Sequence, residues 1–152
     1  MSRRGAILLV EDNEDDVFFM KRAMKSASVE NALQVVTDGQ QAIEYLQGTG
    51  KFSDRTQFPL PILVLLDLKL PHKSGHEVLR WIREQPDFKT LVVIVLTTSR
   101  ETSDIEKAYR SGANAFLVKP PGAPELVEIV KSLKQFWLMH NEFTPLAVAA
   151  KN

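Results

Sequence analysis

The sequence predicts an α/β fold in which five parallel strands form a sheet with helices on both faces. Two observations predict this class: five short apolar runs alternate strictly with amphipathic segments, and the apolar runs are largely aliphatic, without alternating polar residues. Strict alternation of strands and helices favours a parallel sheet between two helical layers. Strands that are buried on both faces lack the polar alternation of half-exposed strands.

The amino-terminal half is predicted to contain three strands and two helices. Ala6 to Val10 is a compact apolar run, Leu33 to Val36 is a weaker one, and Ile62 to Leu66 is wholly aliphatic. Each run therefore predicts a strand. Between them, Glu14 to Ala27 and Gly39 to Leu46 carry apolar residues at helical spacing and predict helices.

The carboxyl-terminal half is predicted to contain three helices and two strands. The apolar runs Leu91 to Leu96 and Ala115 to Val118 predict the strands. The helices are predicted at Gly75 to Glu84, Ser103 to Ser111 and Pro124 to Met139. The last helix has the most regular apolar stripe, which consists of Leu126, Ile129, Val130, Leu133 and Trp137.

Two segments have no regular pattern. Gln47 to Pro61 is rich in glycine, proline and polar residues and predicts a surface loop. Residues 1–140 are predicted to form one domain, and residues 141–152 a tail that packs on this domain or on a second copy of the chain.

Composition excludes several classes of function. The chain has 19 basic and 19 acidic residues, and its largest basic cluster is Arg3-Arg4, so we expect no nucleic-acid partner. It has no cysteine, no apolar stretch long enough to cross a membrane and no signal peptide, so a cytoplasmic protein is expected. His72, His76 and His140 have no metal-ligand spacing and are predicted to face solvent without a catalytic role.

The predicted topology brings polar residues to one edge of the sheet. The right-handed crossover rule favours the flavodoxin-like strand order 2-1-3-4-5, in which sites lie at the carboxyl ends of the strands. Those ends carry, in chain order, Glu11-Asp12, Asp67, Thr97-Thr98 and Lys119-Pro120. We therefore expect three carboxylates, a hydroxyl and an ammonium to converge there.

This set of groups fits phosphoryl transfer. Close carboxylates repel one another and can stay ionised together around a divalent cation, and hard oxygen ligands favour Mg²⁺. A lysine and a threonine can hold phosphoryl oxygens, and positioning with charge neutralisation supplies most of the catalysis in such reactions. Asp67, alone at the end of the central strand, is the predicted nucleophile.

Each residue also has a structural interpretation. Glu11-Asp12 could complement the dipole of the following helix, Asp67 could belong to a turn, and Lys119 could be a solvated loop lysine. Thr97 could be a strand-end threonine chosen for its β propensity, with Thr98 as an alternative for the functional role. The combination favours the functional interpretation, and the spacing to Lys119 favours Thr97 over Thr98.

The ordered set of strand-end residues resembles the receiver domain of two-component response regulators. The resemblance extends over roughly residues 5 to 139 and rests on Glu11-Asp12, Asp67 to Pro71 with Gly75, Leu96-Thr97, Gly112-Ala113 and Val118-Lys119-Pro120. The long loop before the third strand and Phe136-Trp137-Leu138 are similar to the small regulators paired with bacterial and cyanobacterial phytochromes.

The resemblance implies a metal site and a phosphorylation site. Asp67 would accept a phosphoryl group from the histidine of a kinase. Mg²⁺ would be bound by Asp12, by Glu11 through a water, by Asp67 and by the backbone carbonyl of Lys69. Lys119 would pair first with Asp67 and then with the phosphoryl group.

The resemblance also implies a conformational response. Thr97 would move to meet a phosphoryl oxygen, and Phe116 would turn inward with it, although a phenylalanine in a short strand is also an ordinary core residue. The partners implied are a sensor histidine kinase, such as a phytochrome, and a second copy bound through helix 4, strand 5, helix 5 and the tail. Tyr109 and the apolar residues Trp137, Leu138, Met139 and Phe143 could form this dimer or pack on the domain.

Lys69 and Ser99 depart from the usual pattern at positions that border the phosphoryl group. We hypothesise that the Lys69 ammonium shields the phosphoryl group and lengthens its lifetime. A phosphatase of the haloacid dehalogenase type would need an aspartate where Lys69 stands, and a flavodoxin would need a Ser/Thr/Gly loop after the first strand. A pseudo-receiver that binds partners without phosphorylation is disfavoured by the intact set of site residues.

Overall fold

The computed structural model describes residues 5–146. The strands are β1 (Ala6–Val10), β2 (Leu33–Val36), β3 (Pro61–Leu66), β4 (Val92–Thr97) and β5 (Ala115–Val118). The α-helices are α1 (Glu14–Ser26), α2 (Gly39–Gln47), α3 (Gly75–Glu84), α4 (Thr102–Arg110) and α5 (Ala123–Leu133). Short 3₁₀ helices lie at Gly50–Phe52 and Pro86–Phe88, and a π-helix spans Lys134–His140.

The sheet confirms the predicted topology. All five strands pair in parallel, in the order β2-β1-β3-β4-β5. β2 lies on one side of β1, and β3, the next strand in the chain, lies on the other side of β1. The loops that follow β1 and β3 therefore lead away from each other, which leaves a crevice at the carboxyl ends of these two strands.

Alternate side chains of the central strands enter two separate cores. On β1, Leu8 and Val10 face the core beneath α2, α3 and α4, whereas Ile7 and Leu9 face the core beneath α1 and α5. Both sides of the strand are buried, which explains why its sequence has no polar alternation. This double burial fixes the strands and hence the positions of the residues that follow them.

The helix predicted at Pro124 to Met139 is confirmed in extent, but its second half is a π-helix rather than an α-helix. The α-helix ends at Leu133 and continues as a π-helix, in which the Asn141 amide donates to the Phe136 carbonyl five residues earlier, at 2.7 Å. Leu133 and Leu138, also five residues apart, are both buried. The wider π turn keeps both leucines on the core face, which a 3.6-residue turn would not do.

The surface loop predicted at Gln47 to Pro61 is wrong for Phe52, which is buried. Its ring packs against Tyr45 and Phe58 at centroid distances of 5.2 Å. Arg55 donates to the carbonyls of Tyr45 and Leu46 at 2.7 Å and so satisfies the carboxyl end of α2. Phe52 and Phe58 pack against Tyr45 of α2, whereas the other residues between Gln47 and Leu60 are exposed or half-buried, as predicted for a surface loop.

The described part of the tail, residues 141–146, lies on the domain. Leu146 is buried in the core beneath α2, α3 and α4, and Phe143 packs against the other core together with Trp137. Residues 147–152 and the Arg3-Arg4 cluster lie outside the described residues. Within residues 5–146, no helix combines the length and the apolar character needed to cross a bilayer.

Candidate active site

Backbone hydrogen bonds hold the strand-end residues in register beyond the ends of the strands. The Glu11 amide donates to the Val36 carbonyl at 3.0 Å, and the Asp67 amide donates to the Val10 carbonyl at 3.1 Å. The Lys119 amide donates to the Thr97 carbonyl at 2.7 Å. The ladder therefore places these side chains at one edge, as the sequence predicts.

Lys119 is the centre of the cluster. Its ammonium donates to Glu11, to Asp67 Oδ2 at 2.9 Å and to Asp16 Oδ2 at 2.9 Å. Burial lowers the pKa of Lys119, but the three carboxylates outweigh this effect and raise the pKa above its ordinary value. Lys119 is therefore a permanent cation, and it joins β1, β3 and α1.

Asp67 is held through both of its carboxylate oxygens. Oδ1 accepts from the Leu68 amide at 2.7 Å, and Oδ2 accepts from Lys119. Burial raises the pKa of Asp67, but the hydrogen bond and charge of Lys119 outweigh it, so the net pKa is lowered. Asp67 is therefore ionised at neutral pH, as a nucleophile must be.

Gly75 at the start of α3 allows the helix to approach Asp67 closely. A Cβ at this position would lie 2.2 Å from the Asp67 carbonyl oxygen, a distance that no side chain permits. The Gly75 amide donates to the Leu68 carbonyl at 2.8 Å, and Ser74 and Glu77 form a capping box at the helix start. These contacts fix the loop that follows Asp67.

Glu11, Asp12 and Asp67 fit a divalent cation. Each offers a carboxylate oxygen, and the three oxygens lie within 4.8 Å of one another. Burial, and then the charge of Asp67, raise the pKa of Glu11 to about 7 although Lys119 opposes them. This cost of packing anions together is what a bound cation removes, and an all-oxygen donor set suits a hard cation. The Lys69 carbonyl stays a predicted further ligand.

Thr97 presents a hydroxyl without a partner. Its side chain is fully buried at the end of β4, and Oγ1 makes no hydrogen bond within the described structure, whereas Thr98 is exposed. The Thr97 hydroxyl lies near Asp67 and, after Lys119, helps to lower the pKa of Asp67, but the two groups do not meet the distance and angle of a hydrogen bond. A buried hydroxyl left unsatisfied is unusual in a native protein and indicates a donor kept for a ligand.

The prediction that all three histidines face solvent is wrong for His76. This side chain is buried at the start of α3, with Nε2 3.4 Å from Asp104 Oδ1 of α4, whereas His72 and His140 are exposed. Asp104 also accepts from the Ser99 hydroxyl at 2.6 Å, and this bond is the main cause of its lowered pKa. Ser99 is therefore held by α4.

Phe116, the predicted switch residue, is half-buried on β5 and packs against the core beneath α2, α3 and α4. Its switching role stays a prediction.

Asp16 is the site residue that the sequence did not predict. Glu14, Asp15 and Asp16 form one acidic first turn of α1, and only the helical phase relative to the sheet selects the residue that faces Lys119.

Comparison with known proteins identifies the family. The model of the response regulator receiver domain matches residues 7–131. Response regulator Rcp1 of Synechocystis sp. is 37% identical over 132 residues, which are 87% of this chain and 88% of Rcp1. A probable methanogenesis regulatory protein, FilR2 of Methanothrix harundinacea, is 36% identical over 138 residues, which are 89% of this chain and 84% of that protein.

Solved structures similar to this chain belong to the same family. The phosphorylated cyanobacterial phytochrome response regulator RcpA has a TM-score of 0.84 at 34% identity, over 94% of this chain and 99% of RcpA. The Mn²⁺-bound form of Rcp1 has a TM-score of 0.83 at 35% identity, over 92% of this chain and 99% of Rcp1. The chain therefore belongs to the response-regulator receiver family, and it is similar to the regulators of cyanobacterial and bacterial phytochromes.

Proposed function

We propose that this protein is a single-domain response regulator whose Asp67 accepts a phosphoryl group from a histidine kinase with the help of Mg²⁺. The observation that carries the proposal is the environment of the Asp67 carboxylate. The Lys119 ammonium lies 2.9 Å from Oδ2, and Thr97 keeps a buried hydroxyl without a partner beside it. The Lys119 ammonium can neutralise one phosphoryl oxygen, and the Thr97 hydroxyl can donate a hydrogen bond to a second phosphoryl oxygen.

The proposed reaction exchanges one bond to phosphorus for another. A carboxylate oxygen of Asp67 attacks phosphorus, the P–N bond to the kinase histidine breaks, and the imidazole leaves with the electron pair. Asp12, Asp67, the Lys69 carbonyl and, through a water, Glu11 would hold Mg²⁺, which would supply charge neutralisation. Lys119 holds one phosphoryl oxygen, and Thr97 shifts to donate to another. Hydrolysis later breaks the acyl-phosphate P–O bond and releases phosphate.

The proposed kinase partner is a sensor histidine kinase, and the similarity to RcpA and Rcp1 favours a phytochrome. The proposed output surface consists of α4, β5 and α5, which lie at the free edge of the sheet because β5 is the last strand in the order. Tyr109 of α4 is 49% exposed on this side. We propose that this surface and the tail form a homodimer, with Phe116 coupling it to Thr97.

A phosphodonor experiment tests the proposal. The protein is incubated with Mg²⁺ and a small phosphodonor such as phosphoramidate, and its intact mass is measured. Wild-type protein should gain one phosphoryl group, and Asp67→Asn should gain none. Asp15→Asn, which removes an exposed acidic residue outside the cluster, should still be phosphorylated. Wild-type protein that stays unmodified with every donor would favour a pseudo-receiver.

We propose that the Lys69 ammonium lengthens the lifetime of the phosphoryl group on Asp67. Its exposed side chain follows Asp67 by two residues, and its charge helps to lower the pKa of Asp104 in α4. Lys69→Ala is expected to speed autodephosphorylation by about two- to fivefold, because a cation that shields the phosphoryl group is lost. Lys73→Ala, an exposed lysine of the same loop, is the control. An unchanged or slower loss of phosphoryl group in Lys69→Ala contradicts the shielding role.

A further inference from the structure

A cavity of about 220 Å³ lies beside Lys119, between α1 and α5. The apolar residues that line it come from the sheet, from α1 and from α5: Leu9, Leu65, Leu96, Phe19, Met20 and Leu126. Protein interiors keep few voids larger than a water molecule, and an apolar cavity of about 150 Å³ in another protein takes up benzene. The cavity therefore has room for a hydrocarbon group of benzyl size.

The cavity reaches the surface of the protein. Two of the residues that line it, Phe19 of α1 and Ala123 of α5, are exposed, whereas Leu9 and Leu65 of the sheet are buried. A ligand can therefore enter from solvent between the two helices and bury its apolar part against the leucines. Removing apolar surface from water is the favourable term for such a ligand.

The polar side chains of the cavity offer acceptors but no free donor. Those that line it within the described structure are Glu11, Asp16, Asp67 and Lys119. The three N–H bonds of the Lys119 ammonium are all donated to the three carboxylates. Asp16 is 41% exposed and accepts from Lys119 through Oδ2, and a carboxylate has about four acceptor sites, so it can accept from a ligand as well.

The charges of the cavity favour a cationic ligand. Three carboxylates face one ammonium, which leaves an excess of negative charge. The start of α5 also borders the cavity, and the first amides of a helix favour anions. Glu125 already supplies an anion there, because its Oε2 would lie 2.3 Å from a Cβ on Gly122. The polar group that fits the cavity is therefore a positively charged donor.

We infer that this cavity binds a small primary amine with an apolar body of about benzyl size. The ammonium of the ligand donates to the carboxylate of Asp16, and the hydrocarbon lies between Phe19 of α1 and Leu126 of α5. Glu11 and Asp67 attract both this amine and a divalent cation, so each of the two ligands weakens the binding of the other. The inference goes beyond the proposed function and does not require phosphorylation of Asp67.

Three probes of nearly equal size and different charge test the inference: benzylamine, benzyl alcohol and benzoate. The full-length protein, labelled with nitrogen-15 and kept in EDTA near neutral pH, is titrated with each probe. Amide chemical shifts give both the site and the dissociation constant. The amides of Phe19, Met20 and Ala123 should shift. Benzylamine should bind at least about threefold more tightly than the other two probes, and saturating Mg²⁺ should weaken its binding.

Variants separate the volume of the cavity from its charge. Leu126→Trp and Ala123→Leu each fill the cavity from α5 and should abolish the binding of benzylamine, whereas Glu128→Trp, at an exposed position of α5, should not. Asp16→Asn should weaken benzylamine by about two- to fivefold, the range for loss of a partly exposed ion pair, without weakening benzyl alcohol. Asp15→Asn, an exposed neighbour that is not among the described residues lining the cavity, should bind like wild type.

Four outcomes overturn the inference. They are shifts with none of the probes, benzoate or benzyl alcohol that binds as tightly as benzylamine, binding of benzylamine that Mg²⁺ leaves unchanged, and binding that survives the cavity-filling substitutions. If Leu126→Trp does not fold, Ala123→Leu decides the last point, because Ala123 is exposed at the start of α5 and tolerates a larger side chain. The phosphorylation of Asp67 is measured separately, so failure of either proposal leaves the other standing.

Discussion

Two partly buried cations lie at opposite ends of the sheet, and their partners differ in kind. Lys119, after β5, is surrounded by the carboxylates of Glu11, Asp16 and Asp67. Arg83, at the end of α3, donates to neutral oxygens before β4 and β5: Nε to the Gly112 carbonyl at 2.9 Å, Nη1 to the Leu91 carbonyl at 2.7 Å and Nη2 to Asn114 Oδ1 at 2.9 Å.

The difference in partners indicates a structural role for Arg83 and a role in the site for Lys119. Arg83 satisfies carbonyls that have fixed positions in the backbone, so its fork of donors joins α3 to the starts of two strands. Lys119 is outnumbered by anions, which is unfavourable for folding but useful for a site that receives a cation and a phosphoryl group. The same residue class therefore stabilises the fold at one edge and prepares a reaction at the other.

The largest expected effect is on the rate of phosphorylation in Lys119→Met. Loss of a positioned cation at the reacting group should slow phosphorylation of Asp67 by about 100-fold or more. Initial rates with phosphoramidate and Mg²⁺ measure this. The same substitution at Arg83 should leave the rate of the folded protein unchanged, and a comparable loss in Arg83→Met would contradict the distinction between the two cations.

The next effect is on stability in Arg83→Met. The variant leaves the Gly112 and Leu91 carbonyls and the Asn114 side chain without their donors, and it should lower the free energy of unfolding by about 3 kcal/mol. Urea unfolding measures the change. Lys131→Met serves as the control because Lys131 is exposed and has a weak pair with Glu128. A loss below about 0.5 kcal/mol would mean that Arg83 is not structural.

The raised pKa of Glu11 predicts that the stability of the metal-free protein depends on pH. Its pKa is raised from 4.5 to about 7 by burial and by Asp67, so the folded state binds a proton that the unfolded state has lost. The stabilisation from this proton is complete below 4.5 and disappears as the pH rises through 7. Between about pH 5 and pH 8 the contribution is at most about 3 kcal/mol.

Urea unfolding with EDTA, compared between wild type and Glu11→Gln, isolates this group. The histidines and other titrating residues are common to both proteins and cancel in the difference. Wild type should lose stability relative to Glu11→Gln as the pH rises, and Mg²⁺ should restore it. If the free energies of unfolding of the two proteins change with pH in parallel, the pKa of Glu11 is not raised in the folded protein.

The smallest effect is expected for the stability of Thr97→Val. Because the hydroxyl has no partner, replacing it with a methyl group of similar shape should change the free energy of unfolding by less than about 1 kcal/mol, toward greater stability. The response to phosphorylation should nevertheless be lost, as measured by the change in oligomeric size after phosphodonor treatment. A loss of stability of several kcal/mol would show that Thr97 is a structural residue.

The sequence predicted the parts of the molecule in which local pattern and topology agree. The aliphatic runs of β1 and β3 predicted a doubly covered sheet, and the sheet placed Asp67 and Lys119 together although 52 residues separate them. Regular strands leave their carboxyl ends at one edge whatever the loops do. The residues at those ends were therefore predictable from their order alone.

Residues whose position depends on packing were not predictable. The bond from Lys119 to Asp16 spans 103 residues and depends on the rotation of α1, which three consecutive acidic residues cannot indicate. His76 resembles a polar residue at a helix start, but α4 covers it through Asp104. Phe52 lies in a polar loop and is buried only because Tyr45 and Phe58 meet it.

The site of phosphorylation tests the central claim most directly. After incubation with Mg²⁺ and phosphoramidate, borohydride reduces an aspartyl phosphate to homoserine, and peptide mass mapping locates the modified residue. We predict homoserine at position 67 in wild-type protein and at no position in Asp67→Asn. Modification at Asp12 or Glu11 instead, or an unmodified wild-type protein, would contradict the assignment of Asp67 as the phosphoryl acceptor.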